Sequence, residues 1–192
     1  MIDGIRIIEK GKFSCANPLP LWHRGYWFGK RIRMEITLNR AWMTYFHDNT
    51  KANQDIQKII GYTLDPFKSG IIRLGCNTGY PNFNGFDLSL YGYFTKNFQR
   101  FTNKGSGKFP LGKINTAFPF VVEHQLTKLG HPYFFVQQNN IKVAEKVFSE
   151  IAYSPSSLGG YNMSPYYEAD IYGAPEQLTA NIKFTQLSLH DI

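Results

Sequence analysis

The chain has 192 residues, 43% of them hydrophobic, which suffices for one domain with a proper core and asks for no second one. Lys and Arg outnumber Asp and Glu by 21 to 14, giving a formal charge of +7, yet the basic residues are scattered and no recognition motif is present, so nucleic acid is an unfavoured partner. No apolar stretch approaches a membrane span, and Met1-Ile2-Asp3-Gly4 opens without the regions of a secretory signal; a soluble protein made in a cytoplasm, with no membrane partner, is the expectation.

Aromatic residues make up 16% of the chain, and Phe and Tyr suit pleated, half-buried surfaces. Ile5 to Ile8 read as a first strand, and Trp22, Tyr26, Trp27 and Phe28 as strand or packed loop within an N-terminal arm, residues 1–30. Strict alternation then runs from Arg31 to Asn39, with Ile32, Met34, Ile36 and Leu38 toward a core. Asn49 or Thr50 caps the one expected helix, which carries Ile56, Ile59 and Ile60 on one side and closes at Gly61.

From residue 71 the pattern is a meander. Ile72, Leu74 and Cys76 alternate, a Gly/Pro/Asn turn occupies 77–85, and Phe86, Leu88 and Leu90 alternate with Asp87, Ser89 and Tyr91 into Tyr93. After a turn at 103–107, Phe118, Phe120 and Val122 form the next strand. Tyr133–Val136 and Ile141–Val147 flank a hairpin turn in which Asn139 and Asn140 tolerate positive φ. Leu178, Ala180, Ile182 and Phe184 make the last strand. Eight to ten short strands at this spacing predict an all-β, two-sheet antiparallel sandwich or jelly roll with at most one short helix, in a single domain spanning 1–192.

Short motifs carry a resemblance. Lys58-Ile59-Ile60-Gly61, Ile72-Arg73-Leu74-Gly75, Phe86 to Tyr93, Tyr133-Phe134-Phe135-Val136, Ser164-Pro165-Tyr166-Tyr167 and Gly173-Ala174-Pro175 follow one another in a recurring order. Over residues 58–184 the chain resembles small concanavalin-like β-sandwich proteins of Bacteroidetes bacteria and their tailed phages, departing at Tyr167-Glu168-Ala169, where that group tends to have Phe-Gly-Gly. The resemblance implies a jelly roll and points toward glycan-associated or virion-associated modules, a ring or connector subunit among them.

Catalytic signatures are sparse. Gly105-Ser106-Gly107-Lys108 lacks the first glycine and the final Ser or Thr of a phosphate loop, so it reads as a polar turn. His23, His47, His124, His131 and His190 form no zinc spacing, Cys15 and Cys76 have no metal pattern, and no Gly-x-Ser-x-Gly elbow occurs; no metal and no cofactor are expected. Cys76, among apolar residues, reads as a buried free thiol by default, with a Cys15–Cys76 disulfide as the alternative. Paired carboxylates for glycosidic cleavage are lacking, and Glu145 and Glu150 read as solvating residues. Jelly-roll polysaccharide lyases use Arg, Gln, His and Tyr on one sheet; Arg33 with Glu35, Gln125 with His124, and Tyr161 or Tyr166 supply those types. Neighbours on one strand point oppositely, however, which separates His124 from Gln125.

The candidate binding residues are aromatic: Trp22, Tyr26 and Trp27 beside His23, Arg24 and Lys30, and Tyr161, Tyr166 and Tyr167. They suit stacking on sugars or burial against another subunit. The function expected from sequence is a non-enzymatic structural or assembly protein, a virion component that associates with itself or with other structural proteins. A carbohydrate-binding module and a polysaccharide lyase are the alternatives.

Overall fold

A computed structural model describes residues 3–16, 22–23, 30–43, 57–67, 69–77, 87–101, 109–154, 160–167, 174 and 176–189. The strands are β1 (Gly4–Ile8), β2 (Trp22–His23), β3 (Arg31–Leu38), β4 (Gln57–Thr63), β5 (Ile71–Asn77), β6 (Asp87–Lys96), β7 (Gln99–Arg100), β8 (Phe109–Asn115), β9 (Phe120–Leu126), β10 (Pro132–Gln138), β11 (Ile141–Val147), β12 (Gly160–Met163) and β13 (Leu178–Leu187). A 3-10 turn, Arg40–Met43, is the one helical element among the described residues.

Two antiparallel sheets form a sandwich, as the alternating pattern predicts. The six-stranded sheet runs β1-β13-β3-β9-β10-β11; the seven-stranded sheet runs β2-β12-β4-β5-β6, with β7 and β8 both pairing β6. Ile32, Met34, Ile36 and Leu38 of β3 turn inward as expected, facing a core shared with Ile72, Leu74 and Cys76 of β5 and Leu88, Leu90 and Phe94 of β6. Phe94, Phe109, Phe134 and Phe148 pack within the core with ring centroids 5.0–6.3 Å apart. Asn139 and Asn140 turn the β10–β11 hairpin at φ 51° and 61°. Cys15 and Cys76 form no disulfide, and Cys76 is buried.

The expected helix over 50–61 needs correction. Its first residues lie outside the described set, but Gln57–Thr63 is strand β4, paired with β5 on one side and β12 on the other. A β-bulge at Ile59 puts Ile59 and Ile60 both into the interior, and that break in alternation mimics a helical stripe. Strands β8 and β12 were not anticipated, and Phe118 sits exposed in a turn rather than on β9. Of the segment expected as an arm, Gly4–Ile8 is a sheet strand against β13.

Candidate functional site

Alternation that sends Tyr62, Ile72, Leu74, Leu90 and Phe94 inward sends Gly61, Arg73, Gly75, Tyr91 and Tyr93 to the outer face of the seven-stranded sheet. The Ile59 bulge shifts the parity of β4 so that Lys58 joins them. Gly61, Arg73 and Tyr93 stand in one row across β4, β5 and β6, with Met163 of β12 beyond Gly61. Gly61 has to be glycine here: a Cβ would lie 2.4 Å from Arg73 Cγ and 2.5 Å from the Ile72 carbonyl oxygen. The missing side chain lets Arg73 lean over β4, where its Nη2 donates to the Ser164 carbonyl at 2.7 Å.

Tyr93 is a meeting point for cations. Lys58 Nζ lies 5.1 Å and the Arg100 guanidinium 4.9 Å from its ring centroid. Tyr166 is held beside Lys58 by two backbone hydrogen bonds, of 3.0 and 2.9 Å. Lys58 and Arg73 are 4% and 8% exposed, whereas Tyr166 is 39% exposed, so cations form the floor and tyrosines the wall. Burial pushes the Arg73 guanidinium down to about 10, with Tyr93 and Tyr166 pulling the other way; it stays charged at neutral pH. Its Nε is buried without a protein hydrogen-bond partner. The ion pairs between described residues involve Glu35, Glu123 and Glu145, all on the six-stranded sheet, so none of them neutralises Arg73.

The outer face of the six-stranded sheet is built otherwise. Glu123 takes Arg33 Nη1 at 2.8 Å and Arg31 Nε at 3.5 Å, and Glu145 takes Lys142 Nζ at 3.1 Å and the Tyr133 hydroxyl at 3.3 Å. Charge there is matched by charge.

The sequence-predicted residues scatter over these surfaces. Tyr161, half-buried on β12, and Tyr166 reach the outer face of the seven-stranded sheet. Tyr167 is buried in the core and is corrected from a surface binding residue to a packing one. Trp22 lies on β2, paired with Tyr161, while Tyr26 and Trp27 lie outside the described residues. The lyase set of Arg33, Glu35, Gln125 and His124 does not assemble. Arg33 and Glu35 are on the outer face of the six-stranded sheet, Gln125 is buried, and His124 points between the sheets. There His124 Nδ1 is 2.8 Å from the Tyr133 carbonyl, which can only accept, so Nδ1 carries the proton and Nε2 accepts from the Tyr62 hydroxyl at 2.6 Å. Burial lowers His124 to about 4, the Tyr133 bond opposing; burial, then Tyr153, raises Tyr62 well above its ordinary range. His124 is a neutral core residue. Among the described residues no group of His, Cys, Asp and Glu is placed to hold a metal ion, and no helix is long and apolar enough to cross a membrane.

No protein-family model and no curated protein sequence matches the chain. Among solved structures it is similar in fold to the marine PL-14 alginate lyase from Aplysia kurodai, with 13% identity over 97% of this chain and 83% of that one and a TM-score of 0.51. It also aligns with alginate lyase Aly36B, at 11% identity, 97% and 80% coverage and a TM-score of 0.49. A xylan β-1,4-xylosidase from Bacillus halodurans aligns at 9% identity and a TM-score of 0.47 over 82% of this chain, which spans 27% of the xylosidase.

The Aplysia kurodai likeness bears out the jelly-roll-like sandwich. It also overturns the preference for a non-enzymatic structural or virion component, since what shares the architecture over nearly the whole chain is a carbohydrate-active enzyme. The physical reason lies in the tyrosines. Tyr161 and Tyr166, read as suited to sugar stacking or to burial against another subunit, share the outer face of the seven-stranded sheet with the cations Lys58 and Arg73.

Proposed function

We propose that the protein is a polysaccharide lyase that acts on an acidic, uronate-containing polymer along the outer face of the seven-stranded sheet. The observation that carries this reading is Arg73: a buried guanidinium without a carboxylate partner among the described residues, set over Gly61 and in register with Tyr93. A buried cation in that state favours an incoming carboxylate, which exchanges its water for a charge-assisted pair.

Eliminative cleavage breaks the C5–H bond beside the uronate carboxylate and the C4–O bond of the glycosidic link, and forms a C4–C5 double bond. The C5 proton passes to a base and the departing oxygen gains a proton. Arg73 neutralises the carboxylate and so stabilises the negative charge that builds as C5–H breaks. Tyr93, in the same row, is the group assigned to proton transfer. Lys58 and Arg100 hold neighbouring carboxylates, and Tyr166 and Tyr161 offer ring faces to the sugars. The partner on this reading is a glycan.

The test is incubation with alginate and a panel of other polyuronates while following the ultraviolet absorbance of the conjugated product. The absorbance should rise with at least one polymer and stay flat with Arg73→Ala. Silence across the panel would retire the lyase reading, and binding without product would identify a carbohydrate-binding module instead.

A further inference from the structure

The β6–β7 hairpin turns through Asn97 and Phe98 at φ 51° and 63°, the two positive values such a two-residue turn requires. The β10–β11 hairpin meets the same demand with Asn139 and Asn140, which tolerate it. A phenylalanine in this region is strained, and burial does not offset the strain, because Phe98 is 73% exposed. Phe67, in the β4–β5 loop, is 76% exposed, and the Phe98 N–H donates to the Ser69 carbonyl of that loop at 3.1 Å. Two open rings therefore stand on adjoining loops at one end of the sandwich.

The same loops line a polar pocket of about 170 Å³, open to solvent, with Asp65, Ser69, Lys96, Asn97, Tyr153 and Ser154 on its walls. Asp65 is already engaged: one carboxylate oxygen accepts from the Phe67 and Ser69 N–H groups, the other from the Ser69 hydroxyl and the Gly70 N–H. The Tyr153 hydroxyl donates to the Thr95 carbonyl at 2.8 Å, which fixes another wall. Lys96 forms no ion pair with a described carboxylate. Polar walls, a cation without an ion-pair partner among the described residues and two largely exposed aromatic rings match a sugar that carries an acid group.

We propose that this loop end is a second saccharide site, in which Phe67 and Phe98 stack on sugar rings and Lys96 meets a carboxylate of an acidic polysaccharide. The acid group follows from Lys96 at this site; only its identity as a uronate polymer rests on the lyase reading. Strand β7 joins the two regions, since Phe98 precedes it and Arg100 within it reaches Tyr93. One long polymer spanning both gains affinity from simultaneous engagement.

Affinity electrophoresis of the full chain in gels cast with alginate tests this, beside turnover of short oligouronates. Phe98→Gly relieves the turn, so Tm should rise while retardation weakens about fivefold, the change expected for one lost ring contact. Phe67→Ala should weaken retardation similarly, and both variants should keep turnover on short substrates. Undiminished retardation in the Phe67→Ala/Phe98→Gly double variant would overturn the site, as would no retardation of the parent chain. Binding to anionic phospholipid vesicles in place of alginate, lost in the same double variant, would also overturn it. Retardation that depends on Phe98 in a chain without turnover would uphold this site and count against the lyase reading alone.

Discussion

The two outer faces of the sandwich come from the same alternating logic and end in opposite electrostatic states. On the six-stranded sheet Glu123 is clasped by Arg31 and Arg33, Lys183 lies 3.6 Å from Glu35, and Lys142 meets Glu145. On the seven-stranded sheet Lys58 and Arg100 crowd around Tyr93, and Arg73 lies buried in the same row with no described carboxylate to meet it. On the six-stranded face each of these cations has a carboxylate within 4 Å, although Arg31 Nε and Nη1 are buried without a hydrogen bond. A buried cation without an anion is an unfinished interaction, and the missing half is the most economical definition of the ligand.

The largest effect should separate the two arginine sets. Arg73→Ala is expected to cut turnover of a polyuronate by about 10³-fold, the scale for losing one preorganised charge-stabilising group, while Arg33→Ala leaves it unchanged. Equal losses from steady-state rates of both variants would erase the distinction between the faces.

Next comes the layer between them. His124 is near 4 when folded against an ordinary 6.5, so the unfolded chain takes up its proton first as pH falls. Its contribution is whole above pH 6.5 and is lost as pH falls toward 4, a loss of about 3 kcal/mol for a shift of this size. Denaturant unfolding from pH 7 to 4 should give a steeper decline for the parent than for His124→Gln. Parallel slopes would mean that His124 is not held neutral.

Gly61→Ala should lower stability by about 2 kcal/mol and also reduce turnover, because its Cβ meets Arg73 Cγ and the Ile72 carbonyl. A variant with full activity would show that Arg73 need not lean over β4. The smallest effect belongs to the matched face: Glu123→Gln should lower stability by about 1 kcal/mol, as Arg33 turns to solvent and Arg31 loses its carboxylate, with kcat unmoved. Thermal melts paired with kinetics read both.

Much of this architecture was legible in the alternation. Ile32 to Leu38, Ile72 to Cys76 and Leu178 to Ile182 announce strands whose inward residues are the observed core. The Asn139-Asn140 turn follows from tolerance of positive φ. Where one residue interrupts the pattern, the reading fails. The Ile59 bulge turned a strand into an apparent helix, and Phe109–Asn115, with Pro110 and Gly112 inside it, hides as a strand because those residues ordinarily break one.

The site was half legible. Alternation already puts Arg73 between inward Ile72 and Leu74, and Tyr91 and Tyr93 opposite Leu90. What a linear pattern does not contain is register: that Gly61, Arg73 and Tyr93 share a row, or that Tyr166 comes back to pair with Lys58. The same gap produced the wrong lyase set, since Arg33 and Tyr166 have suitable chemistry on opposite sheets.

Amide shift perturbation with a short oligouronate, in a Tyr93→Phe variant to suppress turnover, tests the contrast between the faces most directly. The account predicts that shifts on the sheet faces concentrate at Lys58, Arg73, Tyr91 and Tyr166, leaving Arg33, Glu35 and Glu123 unmoved. Shifts confined to β3, β9 and β10, or none on either face, would contradict it.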